Sequence, residues 1–315
     1  MTAPVSVRVA VVLHRTDRAV LERLLRSLAV AVARARAEGS VSDVTVHLGD
    51  STPNSPPGSA VDSAVIMEKS GAQRPLGTGF LHDHREATAG LDVRYDAFGE
   101  NLWHSGGTNR LLDGLTEDVA LLLNPDLLLA PDAVDRLVRA LGGDRVGIAD
   151  ARQLPFEHPK PHDPVTGDVP WASMAACAVR RETWEEVGPL DAEWFPMHGN
   201  DVDFSWRARL AGWRVVHVPG ARVVHDKRLT SAGSVAPSEV EEEHGARAAL
   251  LLAVKYSRPD VAERHFATLE SGTPAQRRGA AAVRSLLSHT ALPPLLDPDH
   301  LVAEFVGGDF AAHRF

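Results

Sequence analysis

At 315 residues, 44% of them hydrophobic, the chain is long enough for one substantial core with an appendage. Its net charge of −9 argues against general affinity for nucleic acid or anionic membrane, both of which need a basic excess. A lone cysteine, Cys177, excludes an internal disulfide or a cysteine-held zinc and fits a reducing compartment, the cytoplasm. Arg8 and Arg15 break the amino-terminal apolar stretch, and Ala246–Val254 is too short to span a bilayer.

Val7, Val9, Val11, Val12 and Leu13 predict a strand, and Val20, Leu21, Leu24, Leu25, Leu28 and Val32 recur at the spacing of an amphipathic helix. Val44–Leu48 predicts a second strand ending in the turn Gly49-Asp50-Ser51-Thr52-Pro53-Asn54, and Val65–Met67 a third. Residues 71–99 lack a clear period and read mostly as loop. Val119–Leu123 has the fully apolar character of a buried strand, and Pro131 and Asp132 open a helix through Leu141. This alternation predicts an α/β fold with a largely parallel, covered sheet.

Residues 152–170, rich in Pro, His and Asp, read as a long loop. Trp171–Val179 predicts a strand, Arg181–Val187 a short helix, and Ser205–Ala211 a helical segment closed by Gly212. Val215–Val218 and Arg222–His225 read as short strands around Pro219 and Gly220. Beyond residue 230 the composition shifts, and helices are expected over 239–256, 261–269 and 280–287. The expected division is 1–230 and a helical extension, 231–315.

Four clusters carry chemistry. In Leu121-Leu122-Leu123-Asn124-Pro125-Asp126 a strand delivers a carboxylate to its carboxyl end, where ligands of open α/β sheets bind; a helix-capping turn is the alternative. Asn200, Asp201 and Asp203 follow His198-Gly199; two carboxylates facing one cavity would raise each other's pKa, whereas a cap and an arginine pair would make them structural. His225 ends an apolar strand, a position more often structural than ligating. Gly106 and Gly107 precede a segment starting near Thr108, where close backbone approach and free N–H groups suit a phosphate, although a plain helix entry fits as well. Cys177 reads as packed rather than nucleophilic.

In this order the clusters resemble glycosyltransferase family 2, of the rhamnosyltransferase-like type found in bacterial polysaccharide assembly. The matching residues are Asn101 through Asn109, Leu122-Leu123-Asn124-Pro125-Asp126, Arg180-Arg181-Glu182 with Val187-Gly188-Pro189-Leu190-Asp191, Asp201-Val202-Asp203-Phe204-Ser205-Trp206-Arg207, and Val218-Pro219-Gly220-Ala221 ending at His225. The resemblance spans about residues 5–230. It implies a GT-A fold, a nucleotide-sugar donor (dTDP-, UDP- or GDP-linked), a divalent cation (Mg or Mn), and a glycan or lipid-linked glycan acceptor. It assigns Asp126 and His225 to metal and diphosphate, Asp201 to the catalytic base, and Asp50 to the nucleotide. Asn101, Asn109, Asn124 and Trp171 are assigned to the cavity that holds donor and acceptor. Peripheral contact with a membrane and a homo-oligomer are compatible with it. The chain departs from the family's pattern at His14-Arg15, at the loose Asp50 turn, at Trp103 in place of a glycine, and at Asn200 in place of the acid before Asp201. That last departure should leave Asp201 ionised but a weaker base, and it motivates the rival reading of a catalytically silent domain that binds a nucleotide sugar or acts as a scaffold.

Overall fold

The computed structural model describes residues 3–54, 75–226, 237–289, 294–305 and 310; the strand expected at 65–67 lies outside them. β1 (Val5–Leu13) leads into α1 (Arg18–Ala37), which Asp17 starts by accepting the N–H groups of Ala19 and Val20 at 2.8 and 3.2 Å. Leu21, Leu24, Leu25 and Leu28 of α1 are fully buried, as their spacing requires. β2 (Val41–Asp50) pairs parallel with β1 and ends at the Asp50 turn.

Between residues 75 and 99 the structure holds more than the expected loop: α2 (Gly79–Asp83) and β3 (Asp92–Ala97). β3 is the edge strand beside β2, and its half-wet face carries polar residues, so no apolar alternation announced it. α3 (Trp103–Leu112), β4 (Val119–Leu123), β5 (Leu127–Leu129) and α4 (Ala133–Ala140) follow. β6 (Val146–Leu154) was not expected. It runs three residues into the segment read as loop.

β7 (Ala176–Arg180) is shorter than expected, because Trp171–Ala175 directs backbone N–H groups to side chains instead of to a ladder. Ala172 N–H donates to Ser205 Oγ and Ser173 N–H to Asp150 Oδ1. α5 (Arg181–Val187) matches its expected bounds, while α6 (Asn200–Leu210) starts five residues before the expected segment. The two short strands around Pro219 form one strand, β8 (Arg214–His225), with a register shift against β6 that absorbs Pro219, Gly220 and Ala221. α7 (Glu239–Lys255), α8 (Pro259–Glu270) and α9 (Pro274–His289) complete the described elements.

Among the described residues the strands form one sheet in the order β3-β2-β1-β4-β7-β6-β8-β5. It is mixed. β7 runs antiparallel to β4 and β6, and β5 antiparallel to β8. One face packs under α1 and α4; the other packs through Leu122, Ile148, Cys177 and Val179 against α5 and α6 residues such as Trp184 and Phe204. Burial pushes the Cys177 thiol well up, so it behaves as a packed small hydrophobe.

α7 and α9 share a third cluster with Trp171, Trp194, Phe195 and Trp206, so the carboxyl-terminal helices brace the start of α6. Asp203 is fully buried there, clamped by Lys255 at 2.7 Å, Arg207 at 2.9 Å and the Tyr256 hydroxyl at 3.0 Å. Among the described residues no helix is long and apolar enough to cross a membrane.

Candidate active site

The carboxyl ends of β1, β2 and β4 converge, because parallel strands in register end together. Leu13 pairs with Asp50, and Ser51 N–H donates to Leu13 O at 2.7 Å. Asp50 is almost fully buried and accepts from Thr52 N–H (3.0 Å), Leu76 N–H (2.9 Å) and the Tyr95 hydroxyl (2.7 Å). Burial and the Asp50 carboxylate together push the Tyr95 phenol up, so Tyr95 stays a donor to Asp50. The Asp50 side chain thus fixes the turn from within, and the polar groups of that turn line the strand end.

Asn124, half-buried, ends β4 with its N–H on Ala175 O at 2.8 Å. Two residues on, the ladder of β5 with β8 pairs Leu127 with His225, which brings Asp126 Oδ1 to 3.3 Å from His225 Nε2. His225 Nδ1 lies 2.8 Å from Gln153 Oε1 on β6. An amide oxygen only accepts, so Nδ1 donates to it and Nε2 is the nitrogen that faces the carboxylate. A proton on Nε2 makes this contact an ion pair, and without it the nitrogen lone pair and the carboxylate oxygen face one another. One imidazole nitrogen and one carboxylate oxygen therefore fit a divalent cation. Among the described residues no group of three or more His, Cys, Asp or Glu side chains gathers elsewhere or here, so a cation would complete its shell with donor phosphate oxygens and water. Gln153 went unnoticed in the sequence; its signal is a buried polar residue inside an apolar strand.

Asp201 sits in the first turn of α6, half-buried, with Val202 N–H donating to its Oδ1 at 2.9 Å. Its backbone carbonyl accepts from Ser205 Oγ at 2.7 Å, and that hydroxyl oxygen in turn accepts from Ala172 N–H at 3.0 Å. This ties α6 to the segment leading into β7. Asp150 stands opposite Cys177 in the ladder of β6 with β7, and the charge of Asp201 also reaches that thiol. Asp201 and Asp203 do not share a cavity: Asp203 points into the α7 interface, where Lys255 and Arg207 pair with it, the structural role left open for it in the sequence.

Gly199, the residue before α6, has φ +77°, and a Cβ there would lie 2.9 Å from Ala248 Cβ of α7, so only glycine allows this approach. Asn200 is buried and its Nδ2 donates to His104 Nδ1 at 2.9 Å. Burial lowers His104 to about 4, so the ring is neutral at pH 7 with its proton on Nε2. An amide satisfies that neutral ring where a carboxylate would not, which gives Asn200 a structural reason.

α3 begins at Trp103, so Gly106 and Gly107 lie inside the helix and not before it. A Cβ on Gly107 would meet Val12 at 2.8 Å. Its smallness serves helix–sheet packing, and the phosphate reading of these glycines is corrected. Asn101 Oδ1 accepts from Trp103 N–H at 3.0 Å and turns the chain into α3. Asn109 spends both amide groups on Leu190, donating to its carbonyl (2.8 Å) and accepting its N–H (2.9 Å), so it shapes the wall by holding that loop. Trp171 is 1% exposed, with Lys160 over its ring at 4.6 Å and the His158 ring at 5.7 Å. Lys160 is in turn ion-paired with buried Asp150, which His217 Nδ1 also meets at 2.9 Å. Asp126 and His225 thus meet at a strand end and Asp201 opens α6, while Asp50, Asn101 and Asn109 are engaged in holding their own turns and loops and Trp171 is packed in the core.

No family model matches the chain. It is 27% identical over 243 residues, 62% of its length and 75% of the relative's, to an N-acetylglucosaminyl-diphospho-decaprenol L-rhamnosyltransferase of Mycobacterium tuberculosis, with the same match in two strains. Among solved structures it is similar to the mannosyltransferase PcManGT from Pyrobaculum calidifontis in complex with GDP-Man and Mn2+, with a TM-score of 0.55 and 15% identity over 93% of this chain and 78% of that one. GalNAc-T7 with UDP, GalNAc and Mn2+ gives a TM-score of 0.59 at 14% identity, covering 92% of this chain and 59% of the other. The fold is that of the GT-A glycosyltransferases. With the sequence likeness to a rhamnosyltransferase, the chain is a glycosyltransferase of that fold.

Proposed function

We propose that the protein is a metal-assisted, inverting transferase that moves a sugar from a nucleoside-diphosphate sugar to a hydroxyl of a glycan-type acceptor. The observation that carries this reading is the pairing of Asp126 with His225 at one strand-end rim and the presentation of Asp201 at the start of α6. Both structural relatives are described with a nucleotide or nucleotide sugar and Mn2+, which supports the donor and the cation. The Mycobacterium tuberculosis relative supports rhamnose as the sugar and a lipid-linked, diphosphate-bearing glycan as the acceptor, and hence action at the cytoplasmic face of a membrane.

In this mechanism the Asp50 turn and Asn124 border the nucleotide, and the helices after residue 230 form an extension that braces the transferase unit of 1–230. Asp201 takes the proton of the acceptor hydroxyl as that oxygen attacks the anomeric carbon. The bond from that carbon to the donor diphosphate breaks on the opposite side, so the configuration inverts. A divalent ion, Mg or Mn, held by Asp126 and His225 would supply neutralisation of the departing diphosphate. Asn200, hydrogen-bonded to a neutral His104, sets an amide and not a second carboxylate beside Asp201 in the chain.

The test is donor turnover with dTDP-rhamnose, UDP-sugars and GDP-sugars, with Mn or Mg and after chelation. Transfer or donor hydrolysis with one of them, lost on chelation, is the expected result. Metal-dependent nucleotide binding without any turnover would support the silent domain instead.

A further inference from the structure

Where β6 and β8 end beside β5, the sheet face opposite α4 carries exposed side chains among the described residues. The ladder places Arg152 opposite Arg222, and Leu154 opposite Val224, which in turn faces Leu128 of the edge strand. Opposed residues share a face, so a row of two arginines lies directly beside an apolar row. Arg152 and Arg222 are exposed, Val224 is 43% and Leu128 37% exposed, and Phe156, just past the end of β6, is 37% exposed. Two like charges in direct cross-strand register are unfavourable for the fold alone. Neither has an ion pair among the described residues, whereas Arg23, Arg26, Arg136 and Arg139 on the helices of the other face are all paired. Asp132, the acid within electrostatic reach of Arg222, is held by Arg136 at 2.7 Å.

The patch reaches the candidate site through Asp126: Leu128 lies two residues from it, about 7 Å along an extended chain, whereas His225, next to Val224, turns to the other face beside Gln153. The arginines form a fork for a multivalent anion, and the apolar row runs beside it. Resting on the reading of a lipid-linked acceptor, we propose that this face docks that acceptor, Arg152 and Arg222 taking its diphosphate and Leu154, Val224, Leu128 and Phe156 the first units of its isoprenoid chain. The sugar at the far side of the diphosphate then reaches the rim beside Asp126 and Asp201. The charge complementarity is local, which is why a chain of net charge −9 recruits an anionic lipid here without a basic helix.

Farnesyl diphosphate carries both chemical elements and serves as the probe, titrated calorimetrically against the full chain in a metal chelator so that the donor-phosphate site does not compete. The expected result is binding at least tenfold tighter than inorganic diphosphate. Arg152→Gln with Arg222→Gln should weaken it at least tenfold, and Leu128→Ser with Val224→Ser should abolish the advantage of the tail. All four side chains are exposed, and unchanged thermal unfolding and Mn-dependent nucleotide binding report an intact fold. Failure to bind farnesyl diphosphate, or binding indifferent to all four substitutions, overturns the docking site. So does capture by phosphatidylglycerol vesicles through the same arginines with no response to farnesyl diphosphate, which would make the face a membrane contact. Absence of Mn-dependent donor binding and turnover in the unsubstituted protein would defeat the transferase reading itself, and that result is read separately.

Discussion

Asp126 and His225 meet because two neighbouring strands end side by side, whereas Asp201 is held in place by contacts from segments far apart in sequence. At the first region the ladder of β5 with β8 sets the geometry, and Gln153 on the next strand fixes the imidazole. At the second, Ser205, Ala172, the His104–Asn200 pair and Ala248 of α7 packed against Gly199 all converge on one helix start. Register is a property of whole strands and tolerates single changes. A helix end braced from several sides depends on each brace, and the two regions should fail differently.

The largest effect is expected at the brace. Lys255→Met leaves Asp203 and Asp191 without their shared ammonium, although Arg207 still pairs with Asp203. Breaking a buried pair in this way should cost about 3 kcal/mol in urea unfolding. A protein as stable as the original would mean that α7 does not brace α6.

Next comes the strand-end region. Gln153→Leu removes the group that sets the His225 tautomer, and Mn affinity in the presence of a nucleoside diphosphate should fall about 10- to 100-fold. Overall stability should fall by about 1–3 kcal/mol, because the buried Nδ1–H of His225 loses its acceptor, while Gln153 Nε2 has no partner to lose. Unaltered Mn affinity would remove Gln153 from the account.

The smallest effect is a pH dependence. His104 is lowered to about 4 by burial, against an ordinary 6.5 in the unfolded chain. Between these values the unfolded chain binds the extra proton, so stability is full above about pH 7 and declines as pH falls through 6.5 toward 4. At pH 5 the loss should be about 1–2 kcal/mol from His104. His244, also lowered to about 4, by burial and then by Arg247, acts in the same direction. Asn200→Asp gives His104 an anionic partner and should flatten the fall in melting temperature between pH 6.5 and 5; an identical profile would show that the pair does not matter.

The same contrast governs what was legible in the sequence. Val119–Leu123 ending at Asp126, and Val223 and Val224 ending at His225, announce themselves because strand runs end where ligands bind. β3 and β6 did not, since one is a half-wet edge strand and the other mixes Asp150 and Gln153 into its apolar run. Gly106 and Gly107 suited a phosphate as well as a plain helix entry, because spacing does not say whether a glycine's missing side chain makes room for a ligand or for Val12. Asp201 and Asp203 looked equivalent because the lysine that separates their roles, Lys255, comes 52 positions after Asp203. Likewise Asn200 looked like a loss beside Asp201, until His104 from α3 supplied its partner.

The most direct test of the central claim is Asp201→Asn, with donor binding and sugar transfer measured separately. Metal-dependent nucleotide binding should stay within about twofold, while transfer falls about 10²- to 10⁴-fold, the usual contribution of a positioned general base. Transfer at the unsubstituted rate would contradict the account.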